Sequence, residues 1–363
     1  PAPSRTRTLA FLAFFFVSGA CGLVYEVVWT RMLGLTLGNT VYSLSTVLTA
    51  FMGGLALGSW VGGKLADRSA NPLLLYGLLE GGIAAACLAV PMLIGATEPL
   101  FAWLYRGYWS NFTAFSLVRF AVCALVLLVP TTLMGATLPV LSKYFVRRQE
   151  TFGASLGLLY ALNTLGAAAG ACATGFWLIP ALGQTLAIVL AAVGNLAVCG
   201  ASVALALRRE PAPAPDAPAV ALPAAAASAD PAAGCATDPP AGRIALALAL
   251  SGAASMIYQV AWTRLLALNI GSSTYAFTII VTAFILGLGL GSLALAAWAD
   301  RVKRLGGVFV ATQLAIGAAA LAIVPVFGKL PTWLRGLFAA KKEVFSESFA
   351  LLHLYEFAIV FAL

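Results

Sequence analysis

Charge is what this sequence has least of. Asp, Glu, Lys and Arg make up 9% of its 363 residues, against 61% hydrophobic residues and a mean hydropathy of +0.96. A soluble domain carries roughly 25% charged residues, and without them there is too little polar surface for water to solvate. A water-soluble enzyme, a secreted disulfide scaffold and a disordered chain are excluded together. Histidine is scarcer still, with His353 alone. Paired cysteine spacings are missing too. Cys21, Cys87, Cys123, Cys172 and Cys199 lie inside apolar runs, only Cys235 sits in a loop, and no CxxC or Cys/His pattern occurs. Neither a zinc site nor a disulfide framework is supported, and no metal or cofactor is expected.

What is present is long apolar runs. Stretches of about 20 such residues are long enough to cross a bilayer as helices. They occupy 9–28, 42–62, 73–95, 116–138, 154–178, 184–206, 244–264, 274–298 and 307–327, and a tenth begins near Phe349. The first lacks an A-x-A cleavage pattern and is followed by many others, so it reads as a retained span. The net charge of +8 invites a nucleic-acid reading. A membrane protein accounts for it better, because Lys and Arg collect in cytoplasmic loops and set orientation. Thirteen of the 21 basic residues, from Arg5 and Arg7 through Lys64, Arg68 and Lys143 to Arg301 and Arg304, fall on one side. That side is expected to be cytoplasmic and to hold the N-terminus. The expected setting is a bacterial cytoplasmic (inner) membrane, with the lipid bilayer as partner and no nucleic acid.

Residues 208–242 break the pattern, holding eight of the 18 prolines among Ala, Asp and Ser. Such a segment buries no core and is expected to be a disordered cytoplasmic linker. It separates a first bundle, 1–207, from a second, 243–363. The two are copies. Ser18–Arg68 and Ser251–Arg301 align without a gap at an offset of 233, with 23 of 51 positions identical. Matched Tyr, Trp, Arg and Asp-Arg positions exceed what shared hydrophobicity supplies, so the chain carries an internal duplication. An even number of spans separates the copies, which makes them parallel repeats. The expected fold is an all-α polytopic membrane protein of two parallel helical bundles, with six spans and at least four.

Two resemblances follow. Gly62-Gly63-Lys64-Leu65-Ala66-Asp67-Arg68 resembles the loop motif of the major facilitator superfamily, and Ala299-Asp300-Arg301 is its weaker echo. Tyr25-Glu26-Val27-Val28-Trp29-Thr30-Arg31 and Tyr258-Gln259-Val260-Ala261-Trp262-Thr263-Arg264 resemble the signature of a fused family. In that family a major facilitator-like membrane bundle precedes a spermidine synthase-like domain. Leu133–Pro139 and Tyr160–Gly166 are similar to it as well. The resemblance implies a major facilitator-like arrangement and an aminopropyltransferase-like domain beyond Leu363. No glycine-rich strand–turn–helix unit for such a domain lies in 1–363, so the chain is expected to be part of a longer protein. No residue in it is expected to catalyse aminopropyl transfer.

Ionisable residues inside a bilayer are costly and point to sites. Here they are Glu26, Arg31, Glu80, Arg119, Arg264, His353 and Glu356, with Gln259 at the place of Glu26 in the second copy. Glu26, Arg31, Arg119, Arg264 and Glu356 fall near the outer ends of their spans. Pairing of Glu26 with Arg119 or Arg31, and of Glu356 with Arg264, is the expectation there, as packing ties, an outer gate or a cation-binding vestibule. Glu80 lies nearer mid-membrane, and the small residues after it would let a neighbouring helix approach and offer a partner. His353 reads as an interfacial polar residue. Asn163, Thr164 and Thr137 are candidates for hydrogen bonds between helices. The stretches 98–115 and 329–348 are expected to lie along the outer surface.

The leading functional expectation is a membrane module that handles a polyamine-type or related small solute, or anchors a catalytic domain absent from this chain. The alternatives are a structural subunit of a larger membrane assembly with transport lost, joined by partner membrane subunits, and a self-standing secondary transporter.

Overall fold

The structure, a computed structural model, describes residues 5–37, 41–108, 112–146, 152–207, 241–270, 274–299, 305–340 and 357–360. The elements among them are helices: α1 (Arg5–Leu37), α2 (Val41–Arg68), α3 (Pro72–Tyr108), α4 (Phe112–Val146), α5 (Phe152–Ala173), a π-helical turn (Thr174–Leu178), α6 (Ile179–Leu207), α7 (Ala241–Ile270), α8 (Thr274–Ala299) and α9 (Leu305–Ala340). Eight helical stretches are long and apolar enough to cross a membrane. Helices are the form such a composition demands, because lipid offers backbone amides no partner and a helix satisfies them internally.

Two apolar clusters show how α1–α6 are threaded. One gathers Phe11 and Phe15 of α1, Ala66 of α2, Leu73 and Tyr76 of α3, Val140 and Leu141 of α4, Leu159 of α5 and Val198 of α6. The other gathers Tyr25 and Trp29, Val47 and Phe51, Cys87 and Val90, Cys123 and Leu127, Ala171, and Ala187. The first cluster draws on the N-terminal parts of α1, α3 and α5 and the C-terminal parts of α2, α4 and α6. The second draws on the opposite parts. The six helices therefore run alternately up and down, side by side.

Local chemistry sets the turns. Asn71 precedes Pro72, the first residue of α3, and its Oδ1 accepts from the Leu74 amide at 3.2 Å. This is the expected pairing of an N-cap with proline at the first helical position. At the same end Lys143 Nζ donates to the Ala66 carbonyl at 2.5 Å and lies 3.3 Å from Asp67 Oδ1, fastening α4 to the end of α2. The turn between α5 and α6 is less visible, because Gly157–Leu207 forms one helical stretch of 51 residues. Unbroken, it would be about 77 Å long, more than twice the hydrocarbon thickness. Gly183, at φ 77° and ψ 175°, breaks it and lets α6 return. The two spans expected at 154–178 and 184–206 are thus divided by a break at Gly183 within one helical stretch.

Small residues let the helices touch. A Cβ on Gly54, Gly58 or Gly62 would collide with Thr131, Thr132 or Ala136 of α4, and one on Gly166 or Gly170 with Phe16 or Ala20 of α1. Close backbone approach of this kind replaces the hydrophobic drive that lipid removes. Thr137 and Thr164 return their hydroxyls to their own helices at Met134 and Tyr160. Of the three expected interhelical donors only Asn163 crosses, with Nδ2 donating to Phe15 O at 3.0 Å.

The second copy repeats the helix bounds. Offset by 233, the ends of α1, the start of α2 and the start of α3 fall on the last residue of α7, the first of α8 and the first of α9. Tyr25 stacks on Trp29 at 5.5 Å and 18°, and Tyr258 stacks on Trp262 at 5.3 Å and 18°. The short helix 357–360 places Val360 against Ile279, Ile280 and Phe327. Its counterpart Leu127 shares a cluster with Val47 and Ile94.

Two expectations are corrected. Residues 98–108 do not form a separate surface segment but continue α3, and 329–340 continue α9 in the same way. Arg31, three residues past the first expected span of 9–28, is inside its helix, since α1 runs on to Leu37. The linker residues 208–240, with Asp300, Arg301, His353 and Glu356, lie outside the described residues.

Candidate functional site

The two apolar clusters meet at the level of Glu80. On α3 it follows Tyr76 and Leu79 and precedes Ile83 and Cys87. It is completely buried, with no accessible surface. Both carboxyl oxygens are held. Ser18 Oγ on α1 donates to Oε1 at 2.6 Å, and Asn195 Nδ2 on α6 donates to Oε2 at 2.6 Å. Asn195 Oδ1 accepts in turn from the Tyr25 hydroxyl at 2.8 Å. The Tyr76 hydroxyl, also fully buried, comes close to the carboxyl from one turn earlier on α3 without an aligned hydrogen bond. Three helices are thus joined through one acidic group, and each protein group that meets it is neutral.

The close approach of α6 has a local cause. Gly81 follows Glu80, and a Cβ there would stand 3.1 Å from Cys199 Sγ. One turn earlier a Cβ on Gly77 would stand 3.2 Å from the Cys199 carbonyl oxygen and 3.2 Å from Ser202 Cβ, so the two glycines together let α6 lie close enough to bring Asn195 in. The small residues after Glu80 therefore do what the sequence predicts, and the partner they admit is an amide.

Beside this network lies a cavity of about 100 Å³. Ser18, Asn195, Asn163 and Thr137 give it polar walls, and Phe51, Ile83 and others give it apolar ones. Ser18 and Asn195 touch both the cavity and Glu80, so the carboxyl stands one side chain behind the cavity wall. Room of this size accommodates several water-sized groups, and the polar lining gives them partners.

The other predicted residues are placed differently. Glu26 is 2% exposed on α1 and has no hydrogen bond or ion pair among the described residues, so its expected pairing with Arg119 or Arg31 is not formed. It lies one turn beyond Gly22 and Leu23, two residues of the cavity wall, on their face of α1. Arg31 is exposed. Arg119 is partly buried, with its guanidinium 5.1 Å from the Phe115 ring centre. Gln259 is 2% exposed with Oε1 unpartnered among the described residues, and Arg264 is exposed. In the loop motif Gly62 is buried against α4, while Asp67 and Arg68 are exposed.

Ser18, Tyr25 and Asn195 were not predicted as site residues. Ser18 precedes the signature on α1 and resembles an ordinary helix residue, Tyr25 opens the signature as one of its repeated aromatics, and Asn195 sits in an apolar run 115 residues from Glu80. One signal was in reach. The offset of 233 places Gln313 opposite Glu80, as it places Gln259 opposite Glu26. Both buried acids of the first copy are amides in the second. Gln313 on α9 is half-buried.

Comparison with known proteins gives a consistent set. Over 202 residues the chain is 34% identical to Polyamine aminopropyltransferase 2 of Streptomyces coelicolor, covering 54% of this chain and 34% of that protein. Over 213 residues it is 29% identical to Polyamine aminopropyltransferase 1 of the same organism, covering 58% and 36%. Over 200 residues it is 28% identical to Polyamine aminopropyltransferase 2 of Ralstonia nicotianae, covering 54% and 35%. The match spans about a third of the length of these curated relatives. No family model and no solved structure matches the chain.

Proposed function

We propose that this chain is the membrane module of a spermidine synthase-like fusion protein and receives a small cationic solute of polyamine type in the cavity beside Glu80. The observation that carries this reading is the fully buried carboxyl, held by Ser18 and Asn195 and met by no cationic side chain. A buried acid without a cation among its protein partners is suited to supply the counter-charge for a cation that comes and goes. Similarity to polyamine aminopropyltransferases supports an amine as that cation. In this reading the two copies form parallel bundles of a major facilitator-like arrangement, 1–207 and 243–363, joined by the 208–242 linker. The protein spans the bacterial cytoplasmic membrane with its N-terminus inside.

The direct test is spermidine binding to the full-length protein in lipid nanodiscs. Glu80→Gln is expected to weaken binding at least tenfold, and equal binding by the variant would remove the reading. Orientation is tested at Cys235, in the linker. A membrane-impermeant maleimide is expected to label it in inverted vesicles and not in intact cells.

A structural subunit of a larger assembly is the second reading, favoured by α7 and α9. Only 6% of each of these spans is buried, against 56% for α1. Native mass measurement of the full-length protein separates the two readings, because a structural subunit would remain bound to other chains and would not bind spermidine.

A further inference from the structure

We propose that Glu80 gives up one proton when an ammonium group of the ligand comes to face it, so that this one acid position is neutral both empty, as the carboxylic acid, and filled, as a carboxylate–ammonium pair. This rests on the reading that an amine enters the cavity, and it adds the proton to that reading.

The surroundings of the carboxyl carry the argument. Its hydrogen-bond partners, Ser18 Oγ and Asn195 Nδ2, are uncharged. The titratable groups that face it are Cys21 and Tyr25 from α1 and Tyr76 from α3, with Cys87 next to Tyr25. From α6, Cys199 stands behind Gly81. These thiols and phenols are neutral in their ordinary forms. On α4 and α5 the cavity wall is Met134, Thr137, Asn163 and Ala167, none of them charged. No Lys, Arg or His balances the carboxyl among the described residues. A lone carboxylate withdrawn from water into apolar surroundings is so unfavourable that the group neutralises instead. Empty, the site meets that demand with a proton. Filled, it meets it with the ligand's positive charge.

The exchange balances as a proton transfer and nothing more. The ligand arrives as an alkylammonium. The O–H bond of the Glu80 carboxylic acid breaks, its proton passes to water, and the carboxylate faces the ammonium across Ser18 and Asn195. No bond to the amine forms or breaks, and no group is oxidised or reduced. Ser18 touches both the carboxyl and the cavity, which makes its hydroxyl the short path for the proton. The cavity supplies acceptors for the ammonium. Asn163 commits its NH₂ to Phe15 O, which leaves its Oδ1 for a donor in the cavity. The apolar walls, Phe51 and Ile83 among them, suit methylene groups better than the hydration shell of a metal ion.

The second copy shows what the acid adds. Gln313 occupies the equivalent position and has no proton to exchange. The exchange is therefore confined to the first copy, and glutamine is a side chain this helix position accepts.

The experiment is calorimetric titration of the full-length protein in nanodiscs with spermidine, run at one pH in phosphate and in imidazole buffer. Their different ionisation heats count the protons released. Wild type is expected to release one proton per spermidine bound, and its affinity to rise about tenfold per pH unit wherever the empty site is protonated. Glu80→Gln is expected to release none. Spermidine binding by wild type with equal heats in both buffers would overturn the exchange and leave the binding reading standing. No binding by wild type would overturn both. Because the count is made on wild type, it does not depend on how well the variant folds.

Discussion

Asn195 Nδ2 holds Glu80 Oε2 at 2.6 Å across 115 residues of sequence, and this contact ties the last helix of the first copy to its third. The amide works in both directions, since its Oδ1 takes the Tyr25 hydroxyl at 2.8 Å. Asn195→Ala therefore strands two buried polar groups at once. Hydrogen bonds between membrane helices are worth about 0.6 kcal/mol on average, but leaving a buried group unsatisfied costs about 1–3 kcal/mol. The expected loss is about 1–3 kcal/mol, read as lower thermal stability in detergent. Asn195→Asp is expected to lose more, because it sets a second carboxyl against Glu80. If alanine and aspartate variants both matched wild type, the network would not be holding the bundle.

Gly58 and Gly291 are equivalent by sequence and opposite by environment. A methyl on Gly58 would collide with the Thr132 carbonyl and the Gly135 Cα, whereas Gly291 has nothing within 4 Å of that position. Gly58→Ala is expected to force α2 and α4 apart and cost about 1–3 kcal/mol, as overpacking does. Gly291→Ala fills open space and is expected to change stability by less than about 0.5 kcal/mol. Thermal unfolding of the pair in the full-length protein checks both. A loss at Gly291 as large as at Gly58 would mean that a further helix covers α8.

Much of the scaffold was legible. Hydropathy located the spans because lipid leaves backbone amides no choice but helices, and the repeat at 233 showed itself through Tyr25, Trp29 and their counterparts. The length of α3 was hidden, because a window of bilayer length stops well before Tyr108. The expected Glu26–Arg31 pair misjudged direction. Five residues along a helix turn the side chain by about 140°, away from its partner. Glu80 was legible as a buried acid, but Asn195 was not its visible partner. Nothing local distinguishes an asparagine that faces a carboxyl from one that faces a carbonyl. The packing of α6 along Gly77 and Gly81 makes that choice.

Lys143 and Asp67 form an uneven pair. The lysine side chain is 17% exposed and the aspartate 82%. Lys143 also caps the end of α2 through the Ala66 carbonyl, where a cation meets the negative end of the helix dipole. Asp67→Asn is expected to change stability by less than about 0.5 kcal/mol, as exposed ion pairs do. Lys143→Met keeps the apolar stem and removes the charge, and is expected to cost about 1 kcal/mol through the lost cap. Raising salt should leave most of the Lys143 contribution intact. Equal effects of the two substitutions would show that the ion pair, not the cap, holds this corner.

Gly183, the one residue of positive φ among those described, breaks the helical stretch that runs from α5 into α6. Its φ of 77° with ψ of 175° is a backbone conformation that L side chains rarely adopt. This region is essentially restricted to glycine, and strain there costs of order 1–3 kcal/mol. Space is not the obstacle, since nothing lies within 4 Å of a Cβ built at Gly183. Gly183→Ala is thus a test of conformation alone, expected to cost about 1–3 kcal/mol in unfolding measurements. Asparagine, which tolerates the left-handed helical region at smaller ψ, is expected to give no rescue. Because α6 delivers Asn195 to Glu80, the strain should reach the site, and on the proposed reading spermidine binding by Gly183→Ala weakens along with stability. Stability lost without any change in binding would mean that the turn and the Glu80 network are uncoupled.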